Sequence, residues 1–173
     1  VMTPVESISL ALLIGLSNAA AVLVGNQIGA KQTEAVYYQA IGITIINVLV
    51  GIVVAIALYF VQVPILNSFS ALSEETRALS EKFILVLSVG IVLRSVPMMV
   101  IVGVLRAGGD VKFCLYQDLI AQWLIGIPLA AFAAIYLGWK PEWIYLLFLT
   151  EEAVKWGGSL YRMKSKKWIN NLI

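Results

Sequence analysis

The sequence predicts an all-α membrane protein, a polytopic bundle of five transmembrane helices. Hydrophobic residues make up 61% of the 173 residues and charged residues only 13%, whereas soluble domains average about 45–50% apolar and about 25% charged residues. The mean hydropathy is +0.92. Five apolar runs approach or exceed the ~20 residues that a helix needs to cross a bilayer, and they cover residues 5–28, 36–61, 83–105, 113–137 and 143–161.

The connections between these runs are short polar turns, except that residues 62–82 predict a longer loop between the second and third runs. Within that loop, Ser73 followed by two glutamates predicts the N-cap at which the third helix is entered. Pro97 and Pro128 fall inside the third and fourth runs. A proline in a helix interior removes one main-chain hydrogen bond, so each predicts a kink.

Glycines mark the turns after the first and third runs. Gly25 and Gly29 belong to the first of these turns, and Gly108 and Gly109 to the second. Glycine permits a positive φ and a close approach of helices. Asp110 is placed to cap the fourth helix, with Gly109 ending the third. The sequence therefore predicts structural turns here, and neither turn has the spacing of a phosphate-binding loop.

The distribution of Lys and Arg predicts the orientation in the membrane. Three of the twelve basic residues lie in the loops of one side and two lie within spans. The other side collects seven: Lys31, Arg106, Lys112, Arg162, Lys164, Lys166 and Lys167. Because cytoplasmic loops carry the excess of positive charge, a multi-pass protein of the cell membrane is predicted, with the tail 162–173 in the cytoplasm. The net charge of +2 gives no indication of a nucleic-acid partner.

The composition also limits the chemistry. The chain has no His and a single Cys, Cys114, which excludes a Cys/His metal site, a Cys–His nucleophile and an internal disulfide. No metal site and no catalytic residue is predicted. Glu151 and Glu152 are adjacent on a helix, so their side chains diverge and cannot act on one bond from opposite sides. The sequence therefore does not favour an enzyme.

Charged residues inside the spans are the main candidates for function. A charge at the bilayer centre costs about 2.5–3.5 kcal/mol on insertion scales, so each needs a partner or a task. Glu151 and Lys155 are four residues apart and can pair on one helix face. Glu152 lies about 100° away and must find a cation on another helix. With Arg94 and Asp118, these residues make three acids and two bases within the spans.

Two interpretations of these charges stay open. In the first, they form a buried network that only holds the helices together. In the second, Asp118, Glu151 or Glu152 titrates or binds a cation while the helices rearrange, and Arg94 and Lys155 are charge partners. An acid in a low-dielectric site without a neighbouring cation favours its protonated form, as a proton-coupled site requires.

Three motifs in order resemble the MATE (multidrug and toxic compound extrusion) transporters: GLSNAAAVLVGNQIGAK, then VLRAGGDVKF with DLIAQWLIGIPLA, then EEAVKWGGSLYRMKSKKWINNL. The resemblance covers essentially the whole chain. It implies that residues 1–173 are a partial C-terminal lobe, helices eight to twelve of a twelve-helix, two-lobe transporter. It also implies alternating access and export of drugs or organic cations, driven by H⁺ or Na⁺ and without another cofactor. The partners implied are the bilayer, small cationic substrates, the N-terminal lobe and the first helix of this lobe.

Two departures from the family pattern leave the coupling ion open. The lobe's first helix, which often supplies a cation-binding Glu, is not within this sequence. The helix that carries an acid in some sodium-coupled members has Arg94 and no acid. Two alternatives remain: a flippase-like transporter of lipid-linked polyanionic cargo, which would favour a more cationic cavity, and a membrane assembly subunit that transports nothing itself.

Overall fold

The protein folds as a bundle of helices in the computed structural model, which describes residues 2–67 and 73–169. The helices of this described part are α1 (Met2–Gly29), α2 (Thr33–Asn67), α3 (Glu74–Pro97), α4 (Val111–Leu119), α5 (Ile127–Ile135), α6 (Pro141–Phe148) and α7 (Thr150–Lys164). There are also two π-helical segments in this part of the chain. The first, π1 (Met98–Leu105), continues α3, and the second, π2 (Ile120–Gly126), joins α4 to α5. The all-α fold class is confirmed.

The apolar runs of the sequence correspond to these helices in order. Four helical segments of the described residues are long and apolar enough to cross a membrane: Thr3–Gly29, Thr33–Asn67, Glu74–Leu105 and Val111–Ile135. The fifth predicted run is divided between α6 and α7, which meet at Leu149. The Leu149 N–H contacts the carbonyls of Tyr145 and Leu146 at 3.3 and 3.1 Å, and this closes the last turn of α6.

The boundary between α2 and α3 differs in part from the prediction. Ser73 is the N-cap of α3, as predicted, and its hydroxyl accepts a hydrogen bond from the Thr76 N–H at 3.3 Å. The prediction of a loop from residue 62 is wrong, because α2 continues to Asn67. Leu66 is buried and Ile65 packs against an apolar cluster, so apolar contacts carry the helix onward. Residues 68–72 of that loop, and 170–173 of the predicted tail, lie outside the described residues.

The core forms where α1 packs along π1 and α2 packs along α3. At Gly103 a Cβ would lie 2.9 Å from the Ser17 carbonyl oxygen, so only glycine permits α1 and π1 to approach this closely. Between α2 and α3, the Asn47 amide donates to the Ser95 carbonyl at 2.7 Å. The outward faces stay apolar: the side chain of Ile135, for example, is 76% exposed. Such faces suit contact with lipid.

The two glycine turns do not behave alike. Gly25 lies inside α1 and Gly29 ends it, and a Cβ at either would meet no atom within 4 Å. The left-handed residue of this turn is Lys31, with φ of 60°. The prediction that Gly25 and Gly29 provide a positive φ or a close approach is therefore wrong, because both residues are helical and face no neighbouring segment within 4 Å.

In the second turn the glycines have the expected properties. Gly109 adopts a φ of 88°. A Cβ at Gly108 would overlap the Trp168 carbonyl oxygen and lie 2.5 Å from a carbon of its indole ring. Trp168 is fully buried there, and its indole N–H donates to the Met163 carbonyl at 3.0 Å. The segment after α7 is thus packed against the turn that precedes α4.

Asp110 occupies the N-cap position of α4, but its side chain makes no capping hydrogen bond. Instead, the Asp110 carboxylate forms an ion pair with the Arg162 guanidinium. Nε of Arg162 donates to one carboxylate oxygen at 2.5 Å, and a second guanidinium nitrogen donates to the other at 3.2 Å. Hydrogen bonding to Asp110 raises the pKa of Arg162 above its ordinary value. The predicted capping role is wrong because a two-pronged ion pair from α7 binds the carboxylate more strongly than a main-chain N–H would.

Candidate ion-coupling site

Arg94 joins three helices. It lies on α3, and one guanidinium nitrogen contacts the carboxylate of Glu6 on α1. Its Nε lies 3.5 Å from Oε1 of Glu152 on α7. The side chain of Arg94 is 18% exposed, so this cation is largely removed from solvent and holds two carboxylates together. Glu152 thus finds its cation on another helix, as its position on α7 predicts.

Lys155 is the second buried cation, and three carboxylates share it. Its Nζ lies 3.6 Å from Glu151, 3.8 Å from Asp118 and 3.9 Å from Glu152. The predicted Glu151–Lys155 contact within α7 is present. The expectation that Glu152 has no cation on its own helix is wrong, since Lys155 also reaches it. These distances exceed those of hydrogen bonds, so the ammonium is shared electrostatically among the carboxylates.

Asp118 extends the cluster towards the turn before α4. Its second oxygen lies 3.2 Å from an Arg106 nitrogen, a contact in which both side chains are partly exposed. A connected chain of charged groups therefore crosses four helical segments. We call it the charge cluster, and its members are Glu6, Arg94, Glu152, Lys155, Glu151, Asp118 and Arg106. With all seven ionised it has four acids and three bases, an excess of one negative charge.

Part of the charge cluster borders a cavity of about 240 Å³. Its charged lining consists of Arg94, Arg106, Lys155, Asp118 and Glu152. Apolar residues of α1 and π1 complete the wall, together with Pro97. The cavity therefore combines an apolar wall with charges of both signs, as a site for an amphipathic organic ion would.

Glu151 differs from the other carboxylates of the charge cluster. The residue is 6% exposed, and among the described residues its Oε2 has no hydrogen-bond partner. A Cβ at Gly126 would lie 2.8 Å from this oxygen, so Glu151 packs into π2. It is absent from the cavity lining, and within the described residues its contact with Lys155 links it to the cavity.

The two predicted kink prolines both adjoin π-helical segments. Pro97 ends α3 directly before π1, and Pro128 lies in the first turn of α5 directly after π2. In these segments each main-chain N–H donates to the carbonyl five residues earlier. Examples are the Arg106 N–H, which donates to the Ile101 carbonyl, and the Ile127 N–H, which donates to the Gln122 carbonyl. Isolated π turns are frequent at functional sites, and these two flank the charge cluster.

The sequence did not predict two members of the charge cluster, Glu6 and Arg106. Glu6 falls at the edge of the first apolar run, and Arg106 was assigned only to a cytoplasmic turn. Local pattern gives no signal for the Glu6–Arg94 pairing: α1 and the α3–π1 helix run in the same direction, since Glu6 contacts Arg94 and Ser17 lies beside Gly103, and their relative offset is set by packing between the helices. The described residues contain no group of three or more His, Cys, Asp or Glu that could hold a metal ion.

Comparison with known proteins identifies the family of the chain. The family model described as MatE matches residues 1–132. The chain belongs to the MatE family. MatE proteins are membrane transporters and not enzymes, so the expected family and the non-enzymatic class are both confirmed. No solved structure matches the chain.

Curated relatives of this MatE chain are bacterial. The chain is 32% identical over 165 residues to "Uncharacterized transporter YisQ" of Bacillus subtilis, covering 89% of this chain and 33% of the relative. It is 30% identical over 137 residues to "Probable multidrug resistance protein NorM" of Bacillus cereus, covering 78% of this chain and 30% of the relative. The MatE chain thus spans about a third of the length of these curated relatives.

Proposed function

We propose that this MatE chain is part of a cation-coupled antiporter that exports drugs or organic cations by alternating access. The observation that carries the proposal is the charge cluster, which has four acids and three bases and of which five members line a cavity. The surplus negative charge is balanced when a coupling cation or a cationic substrate binds. Competition between the two for the same negative charge is the physical basis of exchange.

The architecture that goes with this function is a C-terminal lobe without its first helix, spanning residues 1–173. The missing lobe and helix are its partners in the bilayer of the cell membrane. The C-terminal end lies in the cytoplasm, because the basic residues concentrate on that side. Two features support this assignment: the chain covers about a third of its relatives, and many apolar side chains of its outer faces remain uncovered.

The flippase alternative has one observation in its favour. The cavity lining itself contains three cations and two carboxylates, as an anionic cargo would require. However, each of these cations contacts at least one carboxylate of the charge cluster. An anionic headgroup would have to displace those carboxylates, whereas a cation is attracted by the excess negative charge of the cluster as a whole. The cationic cargo is therefore the better match.

Transport in proteoliposomes tests the proposal. Vesicles holding the chain together with the proposed missing lobe and helix are loaded in parallel with a pH gradient, a Na⁺ gradient or neither, and uptake of a fluorescent organic cation is followed. We expect uptake that depends on one of the two gradients. A fluorescent lipid carrying an anionic headgroup serves as the second cargo. Movement of that lipid alone would favour the flippase, and movement of neither cargo by the inserted, helical assembly would favour a non-transporting assembly subunit. No uptake by the chain alone, when it is inserted and helical, would support its assignment as part of a lobe.

A further inference from the structure

A groove opens at one end of the bundle, between α3 and the start of α6. It has a volume of about 550 Å³, and its charged and aromatic lining consists of Lys82, Trp139, Lys140, Glu142 and Trp143. Trp139 and Trp143 are 45% and 56% exposed. Tryptophan and lysine side chains collect where the hydrocarbon core of a membrane meets the headgroups. The groove therefore has the composition of a surface that faces lipid headgroups.

The charges of this groove are unequal. Nζ of Lys82 lies 3.3 Å from Oε1 of Glu142. The Lys82 side chain is 59% exposed and its ammonium has three donors, so it can bind a second acceptor without leaving Glu142. Lys140 forms no ion pair with any of the described residues. Two lysines and one glutamate give the groove a net charge of +1, which is complementary to a single anionic group.

An apolar groove continues from the polar one along α3 and α6. Its volume is about 290 Å³, and it shares three lining residues with the polar groove. The rest of its lining is apolar and consists of Leu85, Val86 and Leu146. Leu85 and Val86 follow Lys82 by about one turn of α3, and Leu146 follows Glu142 by about one turn of α6. We call the two parts together the α3–α6 groove, which has a cationic end and an apolar end.

We propose that the α3–α6 groove binds one anionic phospholipid. The lipid phosphate forms ion pairs with Lys82 and Lys140, and its glycerol and headgroup contact the rings of Trp139 and Trp143. One acyl chain packs along the apolar end of the groove. This inference goes beyond the proposed transport function and does not depend on it, since a bound lipid requires only that the chain lies in a membrane.

The two ends of the groove together select the kind of ligand. A free phosphate would bind at the cationic end but would leave Leu85 and Leu146 without an apolar partner. A zwitterionic phospholipid would cover the apolar end, but its headgroup carries an ammonium that the net positive charge repels. An anionic phospholipid matches the charge at one end and the apolar surface at the other.

A transmembrane helix of a partner fits this groove less well than a lipid does. Helices pack closely in membranes where small residues line the contact. Apart from Gly138, all the residues that line the α3–α6 groove have large side chains. Gly138 has a φ of 59°, and a Cβ there would meet no atom within 4 Å, so it serves the turn before α6 and not a close helix contact.

Photolabelling tests the site in the chain together with the proposed missing lobe and helix. Phosphatidylcholine bilayers receive a trace of phosphatidylglycerol that carries a diazirine in one acyl chain, and mass spectrometry locates the label after irradiation. We expect label on residues 82–86 and 142–146 that excess unlabelled phosphatidylglycerol removes and an equal addition of phosphatidylcholine does not. The measurement requires no transport, so its result is independent of the antiport proposal.

Three outcomes of the photolabelling would overturn the proposal. Equal displacement by phosphatidylcholine would show ordinary surrounding lipid without selectivity. Displacement by glycerol phosphate at the same concentration would show a site for a soluble phosphate. A groove that is labelled in the chain alone but not in the complete assembly would be a contact surface for the missing helices.

Charge variants test the cationic end. Lys140 is exposed and forms no ion pair with the described residues, so Lys140→Gln should fold normally. It should raise about fivefold the phosphatidylglycerol concentration that halves the label, and Lys140→Arg should leave that concentration unchanged. Arg77→Gln is the matched control, because Arg77 is a cation of α3 outside the groove lining. An unchanged value in Lys140→Gln, or an equal loss in Arg77→Gln, would contradict the site.

A second pair of variants tests the apolar end without altering a charge. Leu85→Asn places a polar amide in the path of the acyl chain and should lose the label that phosphatidylglycerol displaces. Leu119→Asn makes the same change on α4, outside the groove, and should keep that label. Leu85 and Leu119 are 50% and 44% exposed, so neither substitution empties the core. Full labelling of Leu85→Asn would refute the placement of the acyl chain.

Discussion

The ion pair between Asp110 and Arg162 permits a decisive test of how the turn before α4 is stabilised. As a helix cap, Asp110 could be replaced by Asn at little cost, because the two residues cap about equally well. In the structure the carboxylate instead receives two nitrogens of Arg162, at 2.5 and 3.2 Å. Asp110→Asn keeps one acceptor oxygen but turns an NH₂ group towards a guanidinium that only donates.

The expected magnitude follows from this geometry. Hydrogen bonds to charged groups contribute about 1.5–3 kcal/mol each in mutational series. The side chains of Asp110 and Arg162 are 10% and 25% exposed, so solvent screens the pair only in part. We expect Asp110→Asn and Arg162→Gln each to lower the free energy of unfolding by about 2 kcal/mol. The double variant should lose little more than either single one, which gives a coupling energy of about 1.5–2 kcal/mol.

Reversible unfolding in mixed micelles with increasing dodecyl sulfate, followed by circular dichroism, measures these free energies. The control is the exposed pair Arg77–Glu81, 3.8 Å apart with side chains 35% and 46% exposed. Its coupling energy should stay below about 0.5 kcal/mol. An unchanged stability of Asp110→Asn, or additive losses in the double variant, would refute the ion-pair interpretation and restore the capping role.

Three further predictions use the same unfolding assay. Trp168→Ala should lose about 3–5 kcal/mol because it empties a fully buried site, and Trp168→Phe should lose less. Gly108→Ala should lose about 1–3 kcal/mol through overlap with Trp168, whereas Gly25→Ala, which meets no atom within 4 Å, should be neutral or slightly stabilising. A hydrogen bond from its own main-chain N–H, assisted by Lys82, lowers the pKa of Glu142. Glu142→Gln should therefore be less stable than the wild type at pH 7, and the difference should vanish as the pH falls through that lowered pKa.

The parts of the fold that the sequence predicts well are those set by local pattern. Long apolar runs specify the helices because a bilayer leaves the main chain few other ways to satisfy its hydrogen bonds. The Ser73 cap and the Glu151–Lys155 contact depend on spacings of three and four residues within one helix, and both are present. Boundaries are predicted less well: α2 runs past the predicted end, where Leu66 is buried and Ile65 packs against an apolar cluster whose members lie largely elsewhere in the sequence.

The partners across helices are what a single sequence does not show. Glu6 and Arg94 are 88 residues apart, and Asp110 and Arg162 are 52 residues apart. Nothing in the local pattern distinguishes Asp110 as a cap from Asp110 as an ion-pair partner, because both require the same residue at the same position. The glycines illustrate the same limit. Gly25 and Gly108 both belong to glycine-containing turns after apolar runs, but of the two only Gly108 faces another segment.

The break at Leu149 supplies a physical reason for two adjacent acids inside an apolar stretch. It makes Glu151 and Glu152 the first-turn acids of α7, where the helix dipole favours negative charge by about 0.3–1 kcal/mol. That gain does not cover the cost of removing two carboxylates from water, and buried ion pairs often stabilise a protein no better than apolar residues would. Within the described residues, this cluster also has one acid more than its bases, and one oxygen of Glu151 has no hydrogen-bond donor. The arrangement is therefore costly to bury, and stability alone does not account for two adjacent acids at this point of the chain.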